Sequence, residues 1–158
     1  MFNQTFVFFD SDLWFVNDCD LSEFDRREEF FAVRDVGRNK PGDFPTYDSY
    51  WNGINADDYF NTGLFIANGR HPQIKDAFKY ALGLSQKIKV RDFGEQTFLN
   101  IAIQRSPVPF VDLGYEYNYA ILCEEESKKN ITHTTLTSHE KLTHPIAIHA
   151  LGYKNPQK

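Results

Sequence analysis

The apolar run Thr5-Phe6-Val7-Phe8-Phe9 stops at Asp10-Ser11-Asp12, and no other stretch restricts the folding of this chain so tightly. Five β-favouring residues are too few for a helix and read as a short strand. The first acids then sit at the end of a buried strand. Apolar character resumes at once in Leu13-Trp14-Phe15-Val16, so whatever the two carboxylates do, they do it between two apolar segments.

Behind this start the elements interleave. Asn17-Asp18-Cys19-Asp20 is turn-like, and Asp20 can cap a short helical turn over residues 21–24. Phe30-Phe31-Ala32-Val33 is a further strand ending at Arg34-Asp35. Residues 37–58 carry Pro41-Gly42, Pro45 and Asn52-Gly53 among scattered aromatics, which predicts a long irregular loop of the kind that is often functional. A strand over residues 59–67 runs into the turn Asn68-Gly69. Pro72 suits the first turn of a helix, with Ile74, Phe78, Ala81 and Leu82 predicted as its core stripe.

A second helix is expected over residues 95–104, with Phe98, Leu99, Ala102 and Ile103 on one side, then strands at 108–111 and 146–148. Residues 123–142 are polar and give no clear element; the charged run from Glu124 to Lys129 reads as a solvated face. Alternating strands and helices predict the α/β class, a mixed sheet flanked by helices. At 158 residues and 41% hydrophobic composition the chain is long enough to hold one domain, residues 1–158, without a disulfide or metal staple.

Charge and composition exclude several partners. With 17 Lys+Arg against 22 Asp+Glu the net charge is −5, and no long basic cluster offers the footprint of a nucleic-acid binder. No apolar run approaches the about 20 residues of a transmembrane helix. No secretory leader pattern opens the sequence. Cys19 and Cys123 have no metal-type spacing and read as free thiols in a reducing compartment. The expectation is a cytoplasmic protein, with peripheral attachment to a membrane left open. The sequons at Asn3 and Asn130 carry no meaning in that setting.

Chemistry concentrates in two places. Asp10 and Asp12 can converge on one hard cation, Mn²⁺ or Mg²⁺, that takes its remaining ligands from substrate phosphate oxygens and water. A bare D-x-D also occurs in ordinary surface turns. His149-Ala150-Leu151-Gly152-Tyr153-Lys154 adds an imidazole able to ligate a metal, a glycine that permits close backbone approach and a lysine that can meet a diphosphate. Taken singly, such a histidine is more often structural and such a lysine solvated. Asn61-Thr62-Gly63 and Gly94-Glu95-Gln96 supply amide groups suited to hydroxyl-rich ligands. Phe44, Tyr47, Tyr50 and Trp51 in the long loop can stack on sugar faces or simply pack beneath the loop. Neither a nucleophile elbow nor a phosphate-binding G-x-x-x-x-G-K is present.

In order along the chain, Phe8-Phe9-Asp10-Ser11-Asp12-Leu13, Phe31-Ala32-Val33-Arg34-Asp35, Tyr59-Phe60-Asn61-Thr62-Gly63-Leu64, Glu95-Gln96-Thr97-Phe98-Leu99-Asn100, Tyr117-Asn118-Tyr119 and the segment from His149 to Lys154 together resemble the family 8 glycosyltransferases, which have the GT-A fold. The resemblance implies a retaining hexosyltransferase that uses a UDP-sugar donor and a glycan or glycolipid acceptor. It implies Mn²⁺ held by Asp10, Asp12 and His149, with Lys154 and Gly152 at the diphosphate. It also implies Asp35, Asn61, Gly63, Glu95 and Gln96 around the donor sugar and acceptor, Glu95 and Gln96 being the catalytic candidates.

Three departures accompany it. Only nine residues precede Asp10, where the family has a nucleotide-binding half, so the chain is expected to be a C-terminal catalytic part. Glu95 stands where the family has aspartate. Lys154 falls one residue closer to the histidine than the pattern. Two other readings remain: a non-catalytic glycan-binding or interaction remnant, and a haloacid-dehalogenase-like phosphatase, whose D-x-D also follows an N-terminal strand but normally carries Thr or Val where this chain has Trp14.

Overall fold

The computed structural model describes residues 4–35, 50, 52–88, 94–126, 130–135 and 144–151. Within them the chain is a mixed α/β structure. Its strands are β1 (Thr5–Phe9), β2 (Leu13–Phe15), β3 (Phe30–Arg34), β4 (Phe60–Asn68), β5 (Phe110–Asp112), β6 (Tyr119–Glu126), β7 (Asn130–Thr135) and β8 (Ala147–Leu151). Its helices are α1 (Pro72–Lys87) and α2 (Gly94–Arg105).

The strands form two four-stranded sheets, one ordered β1-β4-β3-β5 and the other β2-β8-β6-β7. Both are mixed: β3 pairs antiparallel with β4 and parallel with β5, while β8 pairs antiparallel with β2 and parallel with β6. The central strands β3 and β4 are covered on both faces, which is why they read as continuous apolar runs rather than as alternating ones. Phe30, Ala32, Phe65 and Ala67 pack with Ile74, Leu84, Phe98 and Ile101 on the helical side. Phe31, Leu64 and Ile66 pack with Leu13, Phe24 and Ala147 on the other. The second sheet and the 3-10 turn Leu21–Phe24, capped by Asp20 as predicted, therefore close the face that the helices leave open.

Three expectations need correction. β1 is not a buried strand: among the described residues it pairs on one side only, with β4, and Phe8 and Phe9 are 43% and 51% exposed. The core stripe of α1 is Ile74, Ala77, Ala81 and Leu84, and Leu82 is 63% exposed. At about 100° per residue Leu82 lies roughly 160° round the helix from Leu84, so the two cannot face one neighbour; α1 turns the Leu84 side inward. Residues 123–142, unreadable as an element, include the polar end of β6 and all of β7, which pair antiparallel; β6 itself opens on the apolar run Tyr119-Ala120-Ile121-Leu122, a strand signal that was passed over. Of the long loop, residues 37–49 and 51 lie outside the described residues, and Ala56–Asp58 forms a 3-10 turn capped by Asn55.

The register between β3 and β4 is broken. Ala32 stands opposite Phe65 but Val33 stands opposite Asn61, so residues 62–64 bulge out of the ladder. That bulge positions the site on one side and its support on the other.

Candidate metal centre

After β1 the backbone stays pinned to the bulge, because the Asp10 N–H donates to the Gly63 carbonyl at 2.9 Å. The Leu13 N–H then donates to the Asp10 carbonyl at 3.1 Å, closing a tight turn whose first and third residues are Asp10 and Asp12. Leu13 opens β2, whose register with β8 sets Leu13 opposite His149. This single pairing brings an imidazole from far along the chain to the acids.

The three side chains converge. His149 Nε2 lies 3.2 Å from Asp12 Oδ1 and 3.8 Å from Asp10 Oδ2. One ligating atom from each of the three residues falls within 4.8 Å of the other two. The histidine is buried, 3% exposed, whereas the Asp10 and Asp12 side chains are 43% and 48% exposed, so the cluster is rigid behind and open in front. On its far side His149 Nδ1 lies 3.0 Å from Asn118 Oδ1, and Asn118 Nδ2 donates to Asn61 Oδ1 at 2.8 Å. Gly63 is required under the ring: a Cβ there would fall on His149 Cε1 and Nδ1 and within 2.7 Å of Asn61 Oδ1.

Burial pushes the Asp10 carboxyl above the usual carboxylate range; the His149 charge opposes this, and the charges of Asp12 and Glu95 add to it. Two carboxylates thus share a single nitrogen partner, the His149 ring. Two carboxylate oxygens and an imidazole nitrogen suit a divalent cation of the Mn²⁺ type, hard enough for carboxylate and accepting of nitrogen.

The remaining predicted residues divide. Glu95, at the start of α2, is exposed and near enough for Asp10 to feel its charge. Gln96 is 3% exposed with both ends of its amide engaged: Oε1 accepts the Thr62 N–H at 3.2 Å, and Nε2 donates to Asp35 Oδ2 at 2.8 Å. Asn61 Oδ1 accepts from the Gly63 N–H at 2.7 Å as well as from Asn118. Gly152 and Lys154 lie outside the described residues, as do Phe44, Tyr47 and Trp51; Tyr50 is half-buried against the helical core.

Two supporting residues escaped individual notice. Asn118 was visible only as part of an aromatic-Asn-Tyr triplet. Asn100, fully buried, donates to the Phe60 and Gln96 carbonyls at 2.8 and 2.9 Å and accepts the Phe60 N–H at 2.9 Å. An amide inside the apolar run Phe98-Leu99-Asn100-Ile101, four residues after Gln96, was the available signal.

Around the site the surface is apolar. Phe8, Phe9, Trp14 and Phe15 are all 43% exposed or more, and a groove of about 620 Å³ beside β1 runs between Phe8, Phe78 and Leu82 to Thr62 and Glu95. No helix among the described residues is long and apolar enough to cross a membrane. Compared with protein-family models, with curated proteins and with solved structures, the chain matches none.

Proposed function

We propose that this chain is the catalytic part of a divalent-cation-dependent retaining glycosyltransferase of the GT-A fold, moving a hexosyl group from a UDP-sugar to a glycan or glycolipid acceptor. The observation that carries the reading is the convergence of Asp10, Asp12 and His149, the same three residues to which the family resemblance assigns Mn²⁺. A bound Mn²⁺ would offset the diphosphate charge as the bond to the sugar breaks.

The chain's own residues then have distinct tasks. Asp10 and Asp12 face solvent, leaving room for phosphate oxygens, while buried His149 fixes the rear of the site. Gln96 orients Asp35, which faces the donor sugar, and Glu95 stands at the mouth of the apolar groove where an acceptor approaches. The groove and the exposed β1 aromatics fit a protein whose nucleotide-binding half packs beside this strand. Among the described residues a histidine rather than a further acidic pair faces Asp10 and Asp12, which favours transfer over phosphomonoester hydrolysis.

Titration calorimetry with UDP tests the reading. The expected result is binding that requires Mn²⁺ and is abolished by Asp12→Ala. Absence of any Mn²⁺ or UDP binding would overturn it and leave the glycan-binding remnant, and vanadate-sensitive phosphomonoester hydrolysis lost in Asp10→Asn would replace it with the phosphatase.

A further inference from the structure

We infer that Asn118 and Asn61 are positioning residues that lock the His149 ring in one tautomer, with the hydrogen on Nδ1 and the lone pair of Nε2 turned toward Asp10 and Asp12. The inference rests on the metal centre, not on sugar transfer.

The direction of the chain of hydrogen bonds is fixed at its far end by a group that cannot turn over. The Gly63 backbone N–H is a donor only, so the Asn61 atom that it meets at 2.7 Å is the amide oxygen. That oxygen also receives Asn118 at 2.8 Å, and a second oxygen there would repel it, so Asn118 presents its NH₂ group to Asn61. Its own oxygen is then left facing His149 Nδ1 at 3.0 Å, an acceptor that demands a hydrogen on that nitrogen. In the neutral ring Nε2 is consequently bare.

A bare Nε2 at 3.2 and 3.8 Å from two carboxylate oxygens is a lone pair set against negative charge. With the ring neutral, such an arrangement is favourable only with a cation among the three groups; the other way to satisfy it is a second ring hydrogen, donated from Nε2 to Asp12. An amide that hydrogen-bonds the far nitrogen of a ligating imidazole and so fixes its tautomer and ring angle is commonly worth about 10–100-fold in metal affinity. Asn118 is 5% exposed and Gly63 is buried, so both ends of the chain are shielded from competing water, with half-buried Asn61 between them. The glycine has a second role here: with no Cβ it lets the ring lie over the backbone that supplies the anchoring N–H.

Nitrogen-resolved NMR of the His149 ring in the metal-free protein reads the tautomer directly, and titration with Mn²⁺ reads affinity. Wild type is expected to show hydrogen on Nδ1 in the neutral ring. Asn61→Asp keeps the oxygen that both donors need and should retain this tautomer. Asn61→Leu frees Asn118 to turn over and should move hydrogen to Nε2. Asn118→Ala should lose the preference and weaken Mn²⁺ binding by about 10–100-fold. Hydrogen on Nε2 in the wild type would overturn the inference, as would a weakened affinity in Asn118→Ala with the tautomer unchanged, since that is the mark of a purely structural asparagine. Failure of the wild type to bind Mn²⁺ would defeat the metal reading, whereas the tautomer result decides the hydrogen-bond chain by itself.

Discussion

The bulge in β4 separates two polar regions built on opposite terms. Toward α2, the Phe60 N–H and carbonyl and the Thr62 N–H are taken up by the Asn100 and Gln96 amides at 2.8–3.2 Å, all of them buried. Toward β8, Asp10 and Asp12 stand half in solvent against the Nε2 edge of buried His149, and Asp10 is held above its usual range. The first region closes its hydrogen bonds and so secures a break in the sheet that would otherwise orphan buried backbone groups. The second sets two carboxylates against one imidazole, and perturbed acids of this kind are commoner at functional sites than elsewhere.

Replacement of Asn100 breaks the comparison at its strongest point. Asn100→Ala strands a buried N–H and a buried carbonyl of Phe60, each worth about 1–3 kcal/mol when unsatisfied. Urea denaturation should show a loss of about 3 kcal/mol, with Mn²⁺ affinity of the folded protein within about two-fold of wild type. A larger fall in affinity would mean that the clamp and the metal centre act as one unit. Gly63→Ala is the change that touches both. Its Cβ meets the His149 ring and Asn61, and overpacking of this kind costs about 1–3 kcal/mol. Here stability and Mn²⁺ affinity should fall together, the second by at least about ten-fold as the ring is displaced.

Gln96→Glu is milder. The carboxylate still accepts the Thr62 N–H but replaces the donor to Asp35 with a like charge. A loss of about 1 kcal/mol is expected at neutral pH. It should recover as the pH falls and the pair gains the single proton that restores a hydrogen bond. A pH-independent loss in denaturation midpoints would show that repulsion with Asp35 is not the cause.

How much of this was legible depended on whether a residue's role was local. The apolar runs of β3 and β4 and the acids after β1 were plain in the sequence, because burial on both faces and a strand end each leave a local pattern. The meeting of Asp12 with His149 was suggested only by resemblance, since it depends on the Leu13–His149 register, a pairing across the length of the domain. Asn100 and Asn118 were obscure for the same reason: their partners are backbone and side-chain groups brought close by the fold. The edge position of β1 and the outward turn of Leu82 went unread because an apolar run records that a surface is sticky, not whether anything covers it. β7 was missed because its polar sequence carries little apolar alternation, whereas β6 had an apolar run at Tyr119-Ala120-Ile121-Leu122 that went unread.

Asp10→Asn gives the smallest change in stability and the finest test of the comparison. The folded-state pKa of Asp10 is raised above 3.8, first by burial and then by Asp12 and Glu95, against the opposing effect of His149. The folded protein therefore holds the Asp10 proton more tightly than the unfolded chain does. Stability from this group falls as the pH climbs from 3.8 through the raised value, and the deficit persists at pH 7. Asparagine carries no charge at any pH, so Asp10→Asn should raise Tm at pH 7 by about a degree. That is less than the roughly 2–4 °C of a full kcal/mol, because a side chain 43% exposed is screened by solvent. At pH 3, where Asp10 is protonated in both states, the two melting curves should coincide, while Mn²⁺ affinity at pH 7 should drop by at least about ten-fold. A lower Tm at pH 7 would reverse the assignment of the two regions: the Asp10 charge would then be stabilising, paired with a protonated His149, and the cluster would be a closed ion pair and not a place that waits for a cation.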